Sequence, residues 1–257
     1  TSGAIREALK TEYGVKAPLF LPPCVDTTRY YKRSVSAEDA AWQALSKASG
    51  LSVEEIMKRK IVTEVSRTDI TKRKNVLIEA FARAHQACPQ SFLVVTIDDT
   101  NKALAAELHK LIDACGIRHS TAVLGSVWDL LPSLYSITHV YCTPSVMEGF
   151  GMSIQEAAAT GVPAVSSDLV PFAVEYLLGK TVKEISGEGL KAPMRCGAGA
   201  VVVKADDVAG FGKALELLLT DEGLRQRMGQ AAYQITVPYF TWDHMTKSFL
   251  QEIGASY

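Results

Sequence analysis

The sequence predicts an α/β protein built on a doubly wound parallel sheet, and three observations carry that reading. Past Lys60, short β-branched runs alternate with amphipathic stretches, the pattern of βαβ units. Two of the runs, Phe92-Leu93-Val94-Val95 and Ala200-Val201-Val202-Val203, are apolar without a break, as strands covered on both faces must be. The chain has 257 residues, 47% hydrophobic and 21% charged, which is ordinary for a soluble globular protein and excludes disorder, collagen and a disulfide scaffold.

In chain order, a short helix is expected from Ile5 to Tyr13, an extended stretch from Pro18 to Val25 around Pro22-Pro23, and a helical insert from Ala37 to Lys60. Together, residues 1–60 read as a connecting segment with decoration. Strands are expected at Ile61 to Ser66, Phe92 to Ile97, Thr121 to Leu124, Val140 to Thr143, Pro163 to Ser166 and Ala200 to Val203. Each precedes a helical pattern: Asn75 to Cys88, Asn101 to Cys115, Val127 to Tyr135, Gly151 to Thr160, Pro171 to Leu178 and Val208 to Leu219. Such pairs with short connections describe a Rossmann-like domain over 61–237. Further helices are expected at Glu222 to Ile235 and Trp242 to Ile253, the latter within a C-terminal segment 238–257. Lys183 to Lys191, with three glycines in and around it, reads as a mobile surface loop able to close over a ligand.

The net charge of −1 leaves no electrostatic footprint for sequence-independent nucleic-acid binding. Basic residues nevertheless gather early, in Lys58-Arg59-Lys60 and Lys72-Arg73-Lys74. Both runs suit solvated helix ends, and the second also suits a phosphate contact. Five scattered cysteines without Cys-x-x-Cys or His at ligand spacing argue against zinc and disulfides and fit reduced thiols in a cytoplasmic protein. No metal or other cofactor is implied, and no apolar run is long enough for an integral membrane segment. The start, Thr1-Ser2-Gly3 leading straight into a helical pattern, reads as a fragment boundary.

In open α/β sheets the ligand lies beyond the carboxyl ends of the strands. After the first strand, Arg67 through Asn75 places Arg67 at the strand end and Lys74 at the start of the next helix, both able to reach one anion, with Arg as a planar fork and Lys as a mobile point charge. After the fourth comes Pro144 through Ala159. There Gly149 and Gly151 permit close backbone approach, and the following helix start offers free N–H groups to a phosphate. Glu148 and Glu156, with seven residues between them, can hold opposite ends of an elongated polar ligand through its hydroxyls. A carboxylate pair also suggests a glycosidase, but the helix start and nearby cations favour an anionic ligand. A nicotinamide enzyme would carry Gly-x-Gly-x-x-Gly after the first strand, where Arg67-Thr68-Asp69-Ile70-Thr71 stands instead.

The segment from Glu148 to Glu156 resembles the E-x7-E motif of the retaining nucleotide-sugar glycosyltransferases of family 4, also called group 1. Ser66-Arg67 leading to Lys74-Asn75-Val76-Leu77-Ile78, Glu156 through Val165, Leu21 through Asp26 and Phe240-Thr241-Trp242-Asp243 resemble further family elements in the family's order. The resemblance implies the C-terminal, donor-binding domain of a two-domain GT-B enzyme, whose N-terminal domain holds most of the acceptor site. It implies that Arg67 and Lys74 bind the diphosphate, with Lys72 as the alternative to Lys74 because the loop is long. Glu148 would contact donor-sugar hydroxyls, and the backbone around Gly149, Phe150, Gly151, Met152 and Ser153 would meet sugar and phosphate. Glu156 would hold the ribose, and Gly125, Ser126 and Val127 the base. The segment 238–257 would pack back on the N-terminal domain. The Lys-Arg-Lys run, the helical insert and Asp168 through Phe172 look most like sucrose-phosphate and mannosylfructose-phosphate synthases, implying UDP-glucose or GDP-mannose as donor and a sugar or sugar phosphate, such as fructose 6-phosphate, as acceptor. A nucleotide or nucleotide-sugar binding module without catalysis of its own is the alternative.

Overall fold

The computed structural model describes residues 2–16 and 21–254. The eight strands are β1 (Lys60–Glu64), β2 (Ser91–Thr96), β3 (Thr121–Leu124), β4 (Val140–Thr143), β5 (Ala164–Ser167), β6 (Lys183–Ile185), β7 (Met194–Cys196) and β8 (Ala200–Val203), in one sheet of order β3-β2-β1-β4-β5-β8-β7-β6. The pairs from β3 across to β8 are parallel; β7 and β6 extend the far edge antiparallel. From β1 the chain winds one way through β2 to β3, then returns to place β4 on β1's other side. The connections after β1 and β4 therefore diverge, opening the crevice at which such sheets bind ligands.

The apolar runs form strands because both faces are covered. Ile61, Phe92, Val94, Tyr141 and Val202 point into one core layer, and Val62, Leu93, Val95, Val140 and Val201 into the other, following the two-residue alternation of a strand. The second layer is closed by α4 (Lys74–Ala87), α5 (Lys102–Ala114) and α8 (Val208–Thr220). The first is closed by α2 (Ala40–Ser49), α3 (Val53–Met57), α6 (Leu131–Ile137) and α7 (Met152–Ala159). Gly212 allows α8 its approach to α4, because an added Cβ would lie 3.3 Å from Ala80 O.

Four expectations need correction. The insert at 37–60 is no decoration: Trp42, Leu45 and Ile56 are buried in the first layer, with α2 capped by Asp39 and Gly50 and α3 by a Ser52/Glu55 capping box. The run after β5 is largely a π-helical turn, Ala173–Leu177, whose widened bonds leave no trace in composition. Val127 to Tyr135 begins with a 3-10 turn, Trp128–Leu130, before α6 with Pro132 in its first turn. Lys183 to Lys191 begins as the edge strand β6. Its following loop borders a hollow of about 450 Å³ beside Arg83, Gly212 and Lys213, which shares no lining residue with the crevice after β1 and β4.

Near the chain ends, α1 (Gly3–Thr11) starts two residues earlier than expected, and its Gly3 N–H donates to both Glu175 carboxylate oxygens at 3.1 and 2.9 Å. Part of the Pro18 to Val25 stretch lies outside the described residues. Beyond it, Val25 N–H donates to Phe240 O at 2.8 Å, tying the linker to the segment before α10 (Trp242–Glu252). The helix α9 (Glu222–Thr236) precedes that segment. Among the described residues no helix is long and apolar enough to cross a membrane.

Candidate nucleotide-sugar site

Past Glu64 the chain leaves β1 through a loop whose 3-10 turn, Ile70–Lys72, is capped by the Asp69 carboxylate accepting from Thr71 N–H at 2.8 Å. Arg73 follows in the left-handed region at φ 51, which turns its neighbours Lys72 and Lys74 in different directions. The Lys74 ammonium is buried against Glu64, and also donates to Ser66 Oγ at 2.9 Å, Ser66 O at 3.2 Å and Thr96 Oγ1 at 3.3 Å. With those partners it has no donor left for a ligand. Lys72 instead enters the crevice and pairs with Glu148 Oε1 at 2.6 Å. Lys74, expected to meet the diphosphate, is thus held beneath the crevice, and Lys72, its expected alternative, is the lysine that lines it.

The β4 loop is bound to the β1 loop. Val146 N–H donates to Thr71 O at 2.8 Å, Ser145 Oγ donates to the same oxygen at 3.3 Å, and Ser167 Oγ holds Ser145 O from below. Such cross-loop bonds fix Lys72 and Glu148 relative to each other before any ligand arrives. The two glycines serve different ends. At Gly151, φ is 105 and an added Cβ would stand 2.8 Å from Val170 Cγ1, so only glycine fits the turn into α7. At Gly149 an added Cβ meets nothing within 4 Å, so its missing side chain is crevice space.

Phe150 turns its ring away from the crevice, into a cluster with Phe172, Tyr176 and Phe240, and its carbonyl accepts from Phe172 N–H at 2.8 Å. Phe150 also lines the crevice. Helix α7 has no side-chain cap, so its first N–H groups, around Met152 and Ser153, are open to an anion. Glu156 lies one turn further on, where Tyr135 Oη donates to its Oε2 at 3.1 Å. Burial raises the Glu156 carboxyl above the usual carboxylate range, against the opposing hydrogen bonds.

Arg67, Lys72, Glu148, Gly149, Phe150, Gly151, Met152, Ser153 and Glu156 thus line one crevice of about 500 Å³, with Ile5, Pro23, Val65 and Ser66 completing its wall. Arg67 is exposed there and forms no salt bridge among the described residues. Gly125 and Ser126 are exposed after β3 and Val127 is buried; none of the three belongs to the crevice wall. They adjoin Trp128, 62% exposed, over whose ring the Arg29 guanidinium sits at 4.3 Å. Sequence reasoning missed Arg29, Tyr30 and Tyr135 around Glu156, because only packing brings the linker and α6 beside α7.

The remaining reactive groups are structural. Half-buried His139 accepts from Ile61 N–H through Nδ1 at 3.1 Å and is pushed down to about 4, by desolvation first and then by Arg225, Lys32 and Lys60. His85 is held between Ser91 and Ser120. The Cys142 thiol is fully buried and pushed up by that burial. Phe240 anchors the segment before α10, whereas Trp242 is 65% exposed.

Comparison with known proteins gives the family and the fold. The family model described as glycosyl transferases group 1 matches residues 52–235. D-inositol 3-phosphate glycosyltransferase of Salinispora arenicola is 29% identical over 201 residues, covering 76% of this chain and 41% of its own. Mannosylfructose-phosphate synthase of Agrobacterium fabrum is 26% identical over 167 residues, covering 62% and 35%. The chain spans half or less of the length of the curated relatives it matches. Sucrose-phosphate synthase of Thermosynechococcus elongatus shares the fold at TM-score 0.69 and 19% identity over 100% of this chain and 58% of its own. Anabaena HepE, solved with UDP and glucose, does so at 0.67 and 19%, over 90% and 55%. The C-terminal domain of the group 1 protein LpcC from Francisella tularensis matches at 0.64 and 18%, over 85% of this chain and 99% of that domain. The family model spans more than half of the chain, and the chain belongs to the group 1 glycosyltransferases.

Proposed function

We propose that this chain is the donor-binding half of a retaining glycosyltransferase that moves a hexosyl group from a nucleoside-diphosphate sugar to a sugar or sugar-phosphate acceptor. The observation that carries the reading is the Lys72–Glu148 pair, 2.6 Å apart in the crevice that also holds Arg67, the open start of α7 and Glu156. A diphosphate between Arg67, Lys72 and the α7 N–H groups would take Lys72 over from Glu148, freeing that carboxylate to accept from donor-sugar hydroxyls. As the glycosidic bond breaks, negative charge grows on the departing diphosphate, and fixed cations and N–H groups stabilise that change more than the ground state. Glu156 would accept from the ribose diol, with the base toward Gly125, Ser126 and Val127. Charge neutralisation is assigned to these side chains and N–H groups, with no resident metal.

For substrates, the likeness to mannosylfructose-phosphate synthase supports UDP-glucose or GDP-mannose as donor and fructose 6-phosphate as acceptor. Free cysteines at all five positions support a cytoplasmic location. The missing acceptor half would be an N-terminal domain. In support, α10 has no buried residue, and its Trp242, Met245 and Phe249 face an open apolar hollow of about 400 Å³ with Pro22 and Pro23. Transfer by the chain alone should be weak, because closure between domains builds the reactive geometry.

The test is a thermal-shift panel of UDP, GDP, ADP and their glucose and mannose conjugates. A ligand at 100 times its dissociation constant adds about 2.7 kcal/mol, a shift of roughly 5 to 11 °C at this size. A shift for one base that is lost in Glu156→Ala supports the reading, and no shift with any of them contradicts it.

A further inference from the structure

Apart from glycines, only two of the described residues hold a positive φ, Arg73 at 51 and Asp206 at 59. That region strains a residue with a Cβ, and such strain gathers where it serves a function. The two are partners: Arg73 Nε stands 2.8 Å from Asp206 Oδ1, an ion pair that joins the loop after β1 to the turn between β8 and α8. The turn itself is firmly seated. Asp207 N–H donates to Lys204 O at 3.1 Å, Ala205 N–H donates to Asp168 Oδ1 at 2.9 Å, and Asp207 caps α8. Asp206 occupies the third position of this turn, where a positive φ usually calls for glycine, so its carboxylate needs a reason to be there. Neither Arg73 nor Asp206 lines the crevice.

Resting on the reading that Lys72 meets the diphosphate, we propose that Asp206 is a positioning residue for Lys72, acting through the backbone of Arg73. The ion pair holds Arg73 in the left-handed region, and the Arg73 guanidinium also donates to Ile70 O at 3.2 Å. On one side of Arg73, Lys74 is fixed by its buried partners. A change of conformation at Arg73 is therefore taken up on the other side, where Lys72 reaches Glu148 in the crevice. Asp206 thus sets the place of a cation that it does not touch. The side chains of Arg73 and Asp206 are 30% and 42% exposed, so solvent screens the pair and its effect is modest.

The experiment measures dissociation constants of UDP and GDP, and of uridine and guanosine, for the chain, Asp206→Gly, Arg73→Ala, Arg73→Gly and the double variant carrying both glycines, with Lys72→Gln alongside. Asp206→Gly deletes the carboxylate and leaves its own turn unstrained. Its melting temperature should change little, while diphosphate affinity falls about twofold to fivefold and nucleoside affinity stays. Arg73→Ala should lose as much. Arg73→Gly takes a positive φ freely, so it should keep most of the affinity although it too lacks the guanidinium, and it should restore affinity in the Asp206→Gly background. Equal losses in Arg73→Ala and Arg73→Gly would mean that the guanidinium acts directly, and would overturn the proposal. Unchanged or higher diphosphate affinity in Asp206→Gly, or a parallel loss for the nucleosides, would overturn it too. Full diphosphate affinity in Lys72→Gln would overturn the reading of Lys72 itself, and this proposal with it.

Discussion

Lys72 and Lys74 leave the same loop two residues apart, each 2.5 to 2.6 Å from a glutamate, and serve opposite ends. The side chains of Lys74 and Glu64 are 1% and 2% exposed, below the crevice floor, with Ser66 and Thr96 using the remaining ammonium protons. Those of Lys72 and Glu148 are 12% and 19% exposed and open on the crevice. The buried pair holds the β1 loop to the start of α4. The open pair has both charges on the crevice wall, where the proposed function puts a ligand. An ion pair at a binding site therefore shows its role by whether its groups have spare hydrogen-bonding capacity facing the cavity.

Breaking each pair separates the roles. Lys74→Met strands the Glu64 charge in the core and should cost about 3–5 kcal/mol, read by denaturant unfolding; pairing it with Glu64→Leu should restore much of the loss. The same contrast is repeated in the glycines. Gly151→Ala forces a positive φ and a clash with Val170, and should cost about 1–3 kcal/mol. Gly149→Ala should change stability by less than about 0.5 kcal/mol, while its methyl narrows the crevice and weakens nucleotide-sugar binding in titration calorimetry. A melting temperature falling equally in both would erase the distinction between floor and cavity.

Glu156→Gln gives the smallest stability change, with a sign that can be checked. Burial raises the carboxyl, so the folded protein resists its ionisation, and the penalty is full above that raised pKa. Glu156→Gln should therefore be slightly more stable at pH 7 to 8. Its advantage should fade as pH drops through the raised value into the ordinary carboxylate range, where both states bind the proton. Nucleotide affinity should fall in the same variant.

Much of the floor was legible in the sequence and less of the cavity. The strands β1 to β5 and β8 announce themselves because burial on both faces demands apolar runs. The edge strand β6 is Lys183-Glu184-Ile185, largely exposed, with no apolar alternation to mark it. The amphipathic pattern of 37–60 marked helices, but that Trp42, Leu45 and Ile56 cover the sheet is a tertiary fact. Glu148, the glycines and Glu156 were legible through their spacing on a loop and one helix face. The choice between Lys72 and Lys74 was not, because two lysines in one loop differ only in where Arg73 turns the chain and where Glu64 waits.

The most direct test of the account titrates the chain, Lys72→Gln and Arg67→Ala with UDP or GDP and with the corresponding free nucleoside. Removing a charged hydrogen-bond partner of the phosphates should weaken the diphosphate by about tenfold or more in each variant, with nucleoside binding and melting temperature nearly unchanged. Full diphosphate affinity in both variants would contradict the assignment of the crevice as a nucleotide-sugar site.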